Sequence, residues 1–340
     1  MADSIALNVA GQEIKNFLAY EVDADMYAAA AAFNVALRNP EIAIDEGETC
    51  KLYVNGQLVL NGYVDKPVRA TTKTSHSYKL EGRDMMGLLV DRYITRYGDI
   101  DDASMKTIAE NLLSLVPVID LKTVSYAPGV FPNQQTLHLR PKFDVGQTVF
   151  NTLRAHAARH GLLFYCMPDG SFRFDTPKVS GEAKYNIVFR RDGRGNNVES
   201  AEVVRDISKR YSSVVIVSAG MQGKTIAPTP IAKVFTDSSY PKSAVPKPFV
   251  IAEDMDENMM AARASMIFAE MRHQSFCAEY RMSGHSHNTR LWTINEICSV
   301  DDEVNNLHGN YLITGRTFCL SREHGRTTKV RIGLPGVKVA

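Results

Sequence analysis

The sequence predicts an α+β chain rich in β-structure, in which two similar antiparallel β-barrel domains flank a small α+β domain. Two observations carry this. The apolar-polar alternation of half-buried strands occurs twice in the same arrangement. Glu48-Thr49-Cys50 opens a run that reaches Leu58 to Val64, turns at Thr71 to Ser75 and returns as Ser77 to Gly82. Glu296-Ile297-Cys298 opens a second run that reaches Tyr311 to Thr317, turns at Glu323-His324-Gly325 and returns as Thr328 to Gly333. Between them, over about 98–177, the apolar spacing lengthens to that of helices. At 340 residues there is room for two or three cores. The boundaries expected are 1–93 for the first barrel, 94–183 for the middle domain and 184–340 for the second barrel, which carries a loop insertion near 225–248 and a helix near 254–273.

In chain order, Ile5 to Val9 reads as a strand ending at Ala10-Gly11-Gln12, and Asn55-Gly56 between alternating arms marks a tight hairpin because both residues tolerate positive φ. Ala28 to Ala32 has helical propensity, yet Phe33 to Leu37 alternates at once and Pro40 closes it, so the stretch reads mainly as strand. Asp101-Asp102-Ala103-Ser104 offers caps for a helix over Met105 to Leu115, stopped by Pro117, and Leu139 to Asp144 leads into a second helix over Val145 to His160 with Gly161 at its end. A hairpin follows, Leu162 to Cys166 and Ser171 to Phe174 around Pro168-Asp169-Gly170. In the last region Val203-Val204 and Ser213 to Val217 read as strands, and Thr225 to Pro248, with five prolines, as an irregular loop. The Met260, Ala264, Ile267 and Met271 stripe of the helix that follows reads as core.

Charge is balanced, 39 basic against 38 acidic residues, so no net field draws the chain to nucleic acid or a membrane. No apolar run is long enough to span a bilayer, and Met1 to Ser4 lacks the features of a secretion signal, so a cytoplasmic origin is expected. The five cysteines (Cys50, Cys166, Cys277, Cys298 and Cys319) form no CxxC pair and read as free thiols. Ser218 to Thr225 ends in Gly-Lys-Thr but has Ser218 where a phosphate loop needs glycine, and the prolines that follow deny it a helix N-terminus. His285 and His287, with His273 or His308, lack the partner spacing of a metal site and read as solvated loop histidines. Asp301-Asp302-Glu303 reads as a polar turn, and Arg190 to Gly195 as an exposed hairpin tip without the aromatics that stack bases. No catalytic, cofactor-binding or metal-binding residues are expected.

Several motifs, collinear over nearly the whole chain, resemble the baseplate hub or tail proteins of Mu-like contractile-tailed bacteriophages. They are Gly62 to Asp65, Leu80 to Asp84 leading into Leu88 to Asp91, Gly146 to Val149, His160 to Leu163, Asp169 to Phe172, Arg290 to Asn295, Gly309 to Ile313, Gly325 to Val330 and Leu334-Pro335. The resemblance implies a homotrimer whose six β-barrels ring a channel for DNA, adapting a sixfold tail tube to a threefold spike. It implies host-cytoplasmic assembly followed by residence in the virion baseplate. Because the chain ends soon after the second meander, its spike is expected to be a separate protein. Gly62 should superpose on Gly315 and Gly82 on Gly333. Readings from other classes are a phage-associated cell-wall hydrolase, for which no acid/base or nucleophile set is present, and a monomeric β-rich protein that binds carbohydrate or DNA.

Overall fold

A computed structural model describes residues 3–37, 43–73, 76–95, 104–128, 146–218, 221–222, 225–226, 231–253, 255 and 257–337. The first module comprises β1 (Ile5–Val9), β2 (Gln12–Ile14), β3 (Phe17–Asp25), β4 (Ala32–Leu37), β5 (Thr49–Val54), β6 (Gln57–Thr71) and β7 (His76–Asp84). Alternation sets its two faces. Tyr20, Val22, Phe33, Val35, Tyr78 and Leu80 are buried in the core, while Glu21, Asn34 and Lys79 between them stand exposed on the other side. Asn55 and Gly56 take φ of 51° and 75° at the β5–β6 turn, as the Asn-Gly pair requires.

Then come α1 (Met86–Asp91), α2 (Met105–Leu113), β8 (Val124–Tyr126), α3 (Val149–Arg159), β9 (Leu163–Cys166) and β10 (Phe172–Asp175). Ser104 caps α2 by accepting from the Thr107 N–H, and Thr148 caps α3 through Asn151. Ile108, Leu112, Leu153, Phe164, Phe172 and Phe174 close a second core over the sheet β8-β10-β9. Asp101 to Ala103, Leu139 to Asp144 and Pro40 lie outside the described residues.

The second module opens with β11 (Tyr185–Phe189) and β12 (Val198–Arg205) and is interrupted by β13 (Ser213–Ser218), β14 (Met221–Gln222), β15 (Thr225–Ile226), β16 (Ile231–Thr236), β17 (Pro248–Ala252) and α4 (Glu257–Ser275). The region expected to be an irregular loop thus contains strands. β16 pairs antiparallel and β17 parallel with β13, and Met260, Ala264, Ile267 and Met271 of α4 pack with Val214, Ile216 and Phe235. The prolines masked this. Pro241 and Pro246 fall in the connection, and Pro248 opens β17, where a missing N–H is tolerated. The module resumes with β18 (Phe276–Ser283), β19 (Ser286–His287), β20 (Arg290–Leu291), β21 (Glu296–Asp302), β22 (Leu307–Ser321) and β23 (Gly325–Gly333).

The duplication is topological. The path β3-β4-β7-β6-β5 repeats as β12-β18-β23-β22-β21, antiparallel throughout. β6 and β22 each span 15 residues, and β7 and β23 each span 9. β6 against β7 and β22 against β23 each carry one bulge, between Val64 and Lys66 and between Ile313 and Gly315. Aligning the bulges sets Val64 with Ile313, which places Gly62 with Tyr311 and Gly82 with Ile332. The expected equivalences with Gly315 and Gly333 are therefore corrected. The glycines answer different crowding: a Cβ on Gly82 would meet the Tyr63 carbonyl at 2.2 Å, and one on Gly315 the Arg331 side chain at 2.4 Å.

The β-rich fold with helices agrees with the expected class, but neither module closes into a barrel among the described residues, which corrects the expected barrels. The outer edge of β3 is taken by β22, in register from Gly315 with Asp25 to Leu320 with Tyr20. That pairing merges both modules into one 13-stranded sheet around a common core that includes Leu7, Val35, Leu80, Tyr280, Phe318 and Ile332.

Candidate assembly interface

Eight strands run side by side as one wall, β12-β18-β23-β22-β3-β4-β7-β6. Its middle is the joint between modules, β22 on β3. On the solvent face of that joint Arg331 donates from Nη2 to Asp23 Oδ1 at 2.8 Å, from Nε to Asp25 Oδ2 at 3.2 Å and from Nη1 to Thr317 Oγ1 at 3.1 Å. Burial pushes the Arg331 guanidinium down, but Asp23 and Asp25 outweigh it and hold it above its ordinary value. The Thr317 hydroxyl donates to Asp23 Oδ1.

On the core face, His285 ties the N-terminus to the C-terminal module. The Thr328 hydroxyl donates to the Gly284 carbonyl at 2.6 Å and so accepts from the imidazole Nδ1–H, leaving Nε2 to accept from the Tyr20 hydroxyl at 2.6 Å. Its backbone N–H donates to the Asp3 carboxylate at 2.7 Å, and its ring tilts against Phe318. Burial holds the imidazole down at about 4, so it is neutral near pH 7. The expectation of a solvated loop histidine fails for His285, which lies just before β19 at 0% exposure with its ring against Tyr20 and Phe318. Arg316 is also buried, with its guanidinium 4.1 Å from the Phe318 ring centre, and burial lowers it to about 10.

The wall's outer ends differ from its middle. β12 pairs only with β18, and β6 beyond Val64, whose backbone still bonds Gly47 and Glu48, pairs only with β7, so each presents one unpaired side among the described residues. The solvent face between them mixes signs: Glu21, Asp23, Glu81 and Glu279 stand beside Lys66, Arg83, Lys329 and Arg331 around a cleft of about 740 Å³. No dense basic cluster forms there among the described residues.

The remaining sequence candidates are dispersed. Met221–Gln222 pairs with Thr225–Ile226 as a short antiparallel ladder, and Gly223-Lys224 lies outside the described residues. His287 packs near Trp292 and Tyr185, His273 stacks on Tyr27 and His308 sits 3.1 Å from Asp301. Asp302 is not in a solvated turn but buried in β21, where it accepts from the Tyr280 hydroxyl and Asn305. Arg190 forms an ion pair with Asp301 in an exposed turn. Among the described residues no group of three His, Cys, Asp or Glu side chains could hold a metal ion, and all five cysteines are free. No described helix is long and apolar enough to cross a membrane.

The residues at the joint went unnoticed in the sequence. Asp23 and Asp25 alternate at the end of β3, and Lys329 and Arg331 alternate on β23, which are opposite-sign stripes on strand faces. Nothing local indicates that the two stripes meet.

Residues 4–84 match the family model of the Mu phage baseplate assembly protein GpP-like N-terminal domain. No curated protein matches the sequence. The fold is similar to that of the tail protein from Neisseria meningitidis MC58, with a TM-score of 0.81 at 22% identity over 98% of this chain and 97% of that one. It is also similar to the 43 kDa tail protein of prophage MuSo2 from Shewanella oneidensis, with a TM-score of 0.78 at 21% identity over 97% and 98% of the two chains. A component of the Escherichia coli type VI secretion system, itself described as structurally similar to T4 tail proteins, aligns with a TM-score of 0.58 at 11% identity, over 98% of this chain and 79% of that one. Residues 4–84 thus match the Mu phage baseplate GpP-like N-terminal domain, and nearly the whole chain has a fold similar to that of phage and prophage tail proteins.

Proposed function

We propose that this protein is the structural hub of a contractile tail baseplate: a homotrimer that adapts the sixfold tail tube to a threefold spike and leaves a channel for DNA. The observation that carries this reading is the repeated five-strand order inside one continuous sheet. Three copies of a chain built from two like modules offer six like surfaces, which is what a partner with sixfold symmetry needs. The two modules should then be related by a rotation near 60° about the trimer axis. The mixed-sign face supports a conduit that does not grip, since a row of lysines and arginines would hold the phosphates. The role is mechanical and non-catalytic, with the spike and the tube as separate partners. In this reading 1–93 and 184–340 build the ring, and 94–183 flanks it. Light scattering on the purified protein should give the mass of three chains, and a monomer at micromolar concentration sinks the proposal.

A further inference from the structure

A cavity of about 430 Å³ lies where the three parts of the chain meet. Its walls come from the start of β6 (Gln57 to Leu60), from the β9–β10 hairpin (Cys166 to Pro168) and from Leu291 to Glu296, which runs into β21, with Arg316 of β22 beside them. Exposed Gln57 and Thr293 mark its mouth, and buried Leu60, Trp292 and Arg316 its interior. The volume falls in the range of small-molecule sites, about 300–1,000 Å³.

Two donors on this cavity are unpaired. Arg316 is 5% exposed and Trp292 2%, yet neither Arg316 Nη1 nor the Trp292 indole N–H has a hydrogen-bond partner among the described residues. Alternation along β22 explains the arginine. Thr317 faces the solvent side, where it meets Asp23, so Arg316 faces the other. The Asp23 carboxylate pairs with Arg331 instead. The Phe318 ring under the Arg316 guanidinium offers a π-face and no lone pair in the plane of its N–H groups. Trp292 stacks on Tyr185 with ring centres 4.8 Å apart, which uses its face and leaves its N–H. Burial without an acceptor is costly for both donors, most of all for the charged one.

The other charges on the wall define what would fit. Arg173 bonds Asp175 at 2.9 Å, and Lys178 and Lys184 both bond Glu296. The Asp84 oxygens are taken by the Ala31 and Met86 N–H groups. Arg316 is thus the cation on this wall that lacks a carboxylate among the described residues. Burial lowers it to about 10, so it keeps its charge near pH 7. One flat cation with parallel N–H donors matches one carboxylate. A phosphate dianion would bring a second negative charge up to Asp175 and Glu296. Leu58, Met167, Leu291 and Ile294 make much of the remaining wall apolar. We propose that this cavity binds a monocarboxylate with a short apolar arm, its carboxylate held by Arg316 and Trp292. The site goes beyond the hub reading and does not depend on it. Its ligand has two sources of the same chemistry, a free acid or the C-terminal end of a polypeptide.

Trp292 is the only tryptophan of the chain, so the fluorescence of the full-length protein reports this cavity alone. Isovalerate should give a saturable change at millimolar concentration or below, and isovaleramide, which has the same shape without the charge, should give none. Inorganic phosphate should not compete. Arg316→Lys keeps the charge but loses the flat pair of donors and should weaken isovalerate at least about tenfold. Arg316→Met removes a buried charge, so it should melt no lower than the wild type while losing the response. The tripeptide Gly-Gly-Leu, compared with its C-terminal amide, separates the sources. Tighter binding of its free acid than of isovalerate assigns the site to a polypeptide end, and weaker binding assigns it to a small acid. Equal responses to isovalerate and isovaleramide, competition by phosphate, or no saturable response to isovalerate or the free tripeptide below about 10 mM overturns the site.

Discussion

Asp84 should make the stability of this protein fall as pH rises, and the size of the effect follows from its surroundings. The carboxyl is 5% exposed at the end of β7, where Oδ2 accepts from the Ala31 N–H at 3.1 Å and Oδ1 from the Met86 N–H at 3.0 Å. Burial pushes it from 3.8 up to about 7, and those two hydrogen bonds only partly oppose the shift. A group raised in the folded state contributes stability that is fully present below its unfolded value and is lost as pH climbs through the folded one. The window is therefore from near pH 4 to near pH 7, and a shift of about three units corresponds to a loss on the order of 4 kcal/mol. Asp84→Asn removes the titration but keeps only one acceptor oxygen for two N–H groups, a cost of roughly 1–3 kcal/mol. Urea denaturation of both proteins should find the wild type more stable near pH 4, with the gap shrinking and changing sign by pH 8. A difference between the two that stays constant across that range refutes the reasoning.

The other predictions address the joint and its strands. His285→Phe should cost roughly 1–3 kcal/mol near pH 7 by stranding the Tyr20 hydroxyl. Its pH dependence has the opposite sign to that of Asp84. Because burial lowers the folded imidazole to about 4, the wild type's advantage is present above pH 6.5 and disappears toward pH 4, which the same titration reads out. Arg331→Met leaves Asp23 and Asp25 facing each other without their cation and should lower stability by roughly 1–3 kcal/mol, less at high salt, by denaturation at two ionic strengths. Gly82→Ala puts a methyl 2.2 Å from the Tyr63 carbonyl and should cost about 3 kcal/mol, seen as a lower melting temperature.

Local pattern revealed most of the elements and few of their meetings. The Asn55-Gly56 turn, the Ser104-capped helix and the two meanders were legible because each depends on residues a few places apart. The strand β16 was missed because prolines on either side of it read as loop, although Ile231 and Phe235 alternate with exposed neighbours. Two separate barrels were expected from the two meanders and the resemblance, and the outer edge of each meander needs cover. The structure meets that need at β3 by a strand from the other end of the chain, a pairing that no short-range signal encodes. The burial of His285 and Asp302 has the same origin, since both are covered by elements distant in sequence.

The contact between Thr317 and Asp23 spans 294 residues. On the ribosome, at roughly 5–20 residues per second, the N-terminal module waits about 15–60 seconds before its partner strand is made. Throughout that interval β3 is an open sheet edge. Its residues Glu21, Asp23 and Asp25 give that edge three negative charges, which repel a second nascent copy presenting the same stripe. The stripe that later receives Arg331 thus first serves as a guard against premature pairing, and synthesis of the last strands is the event that retires it.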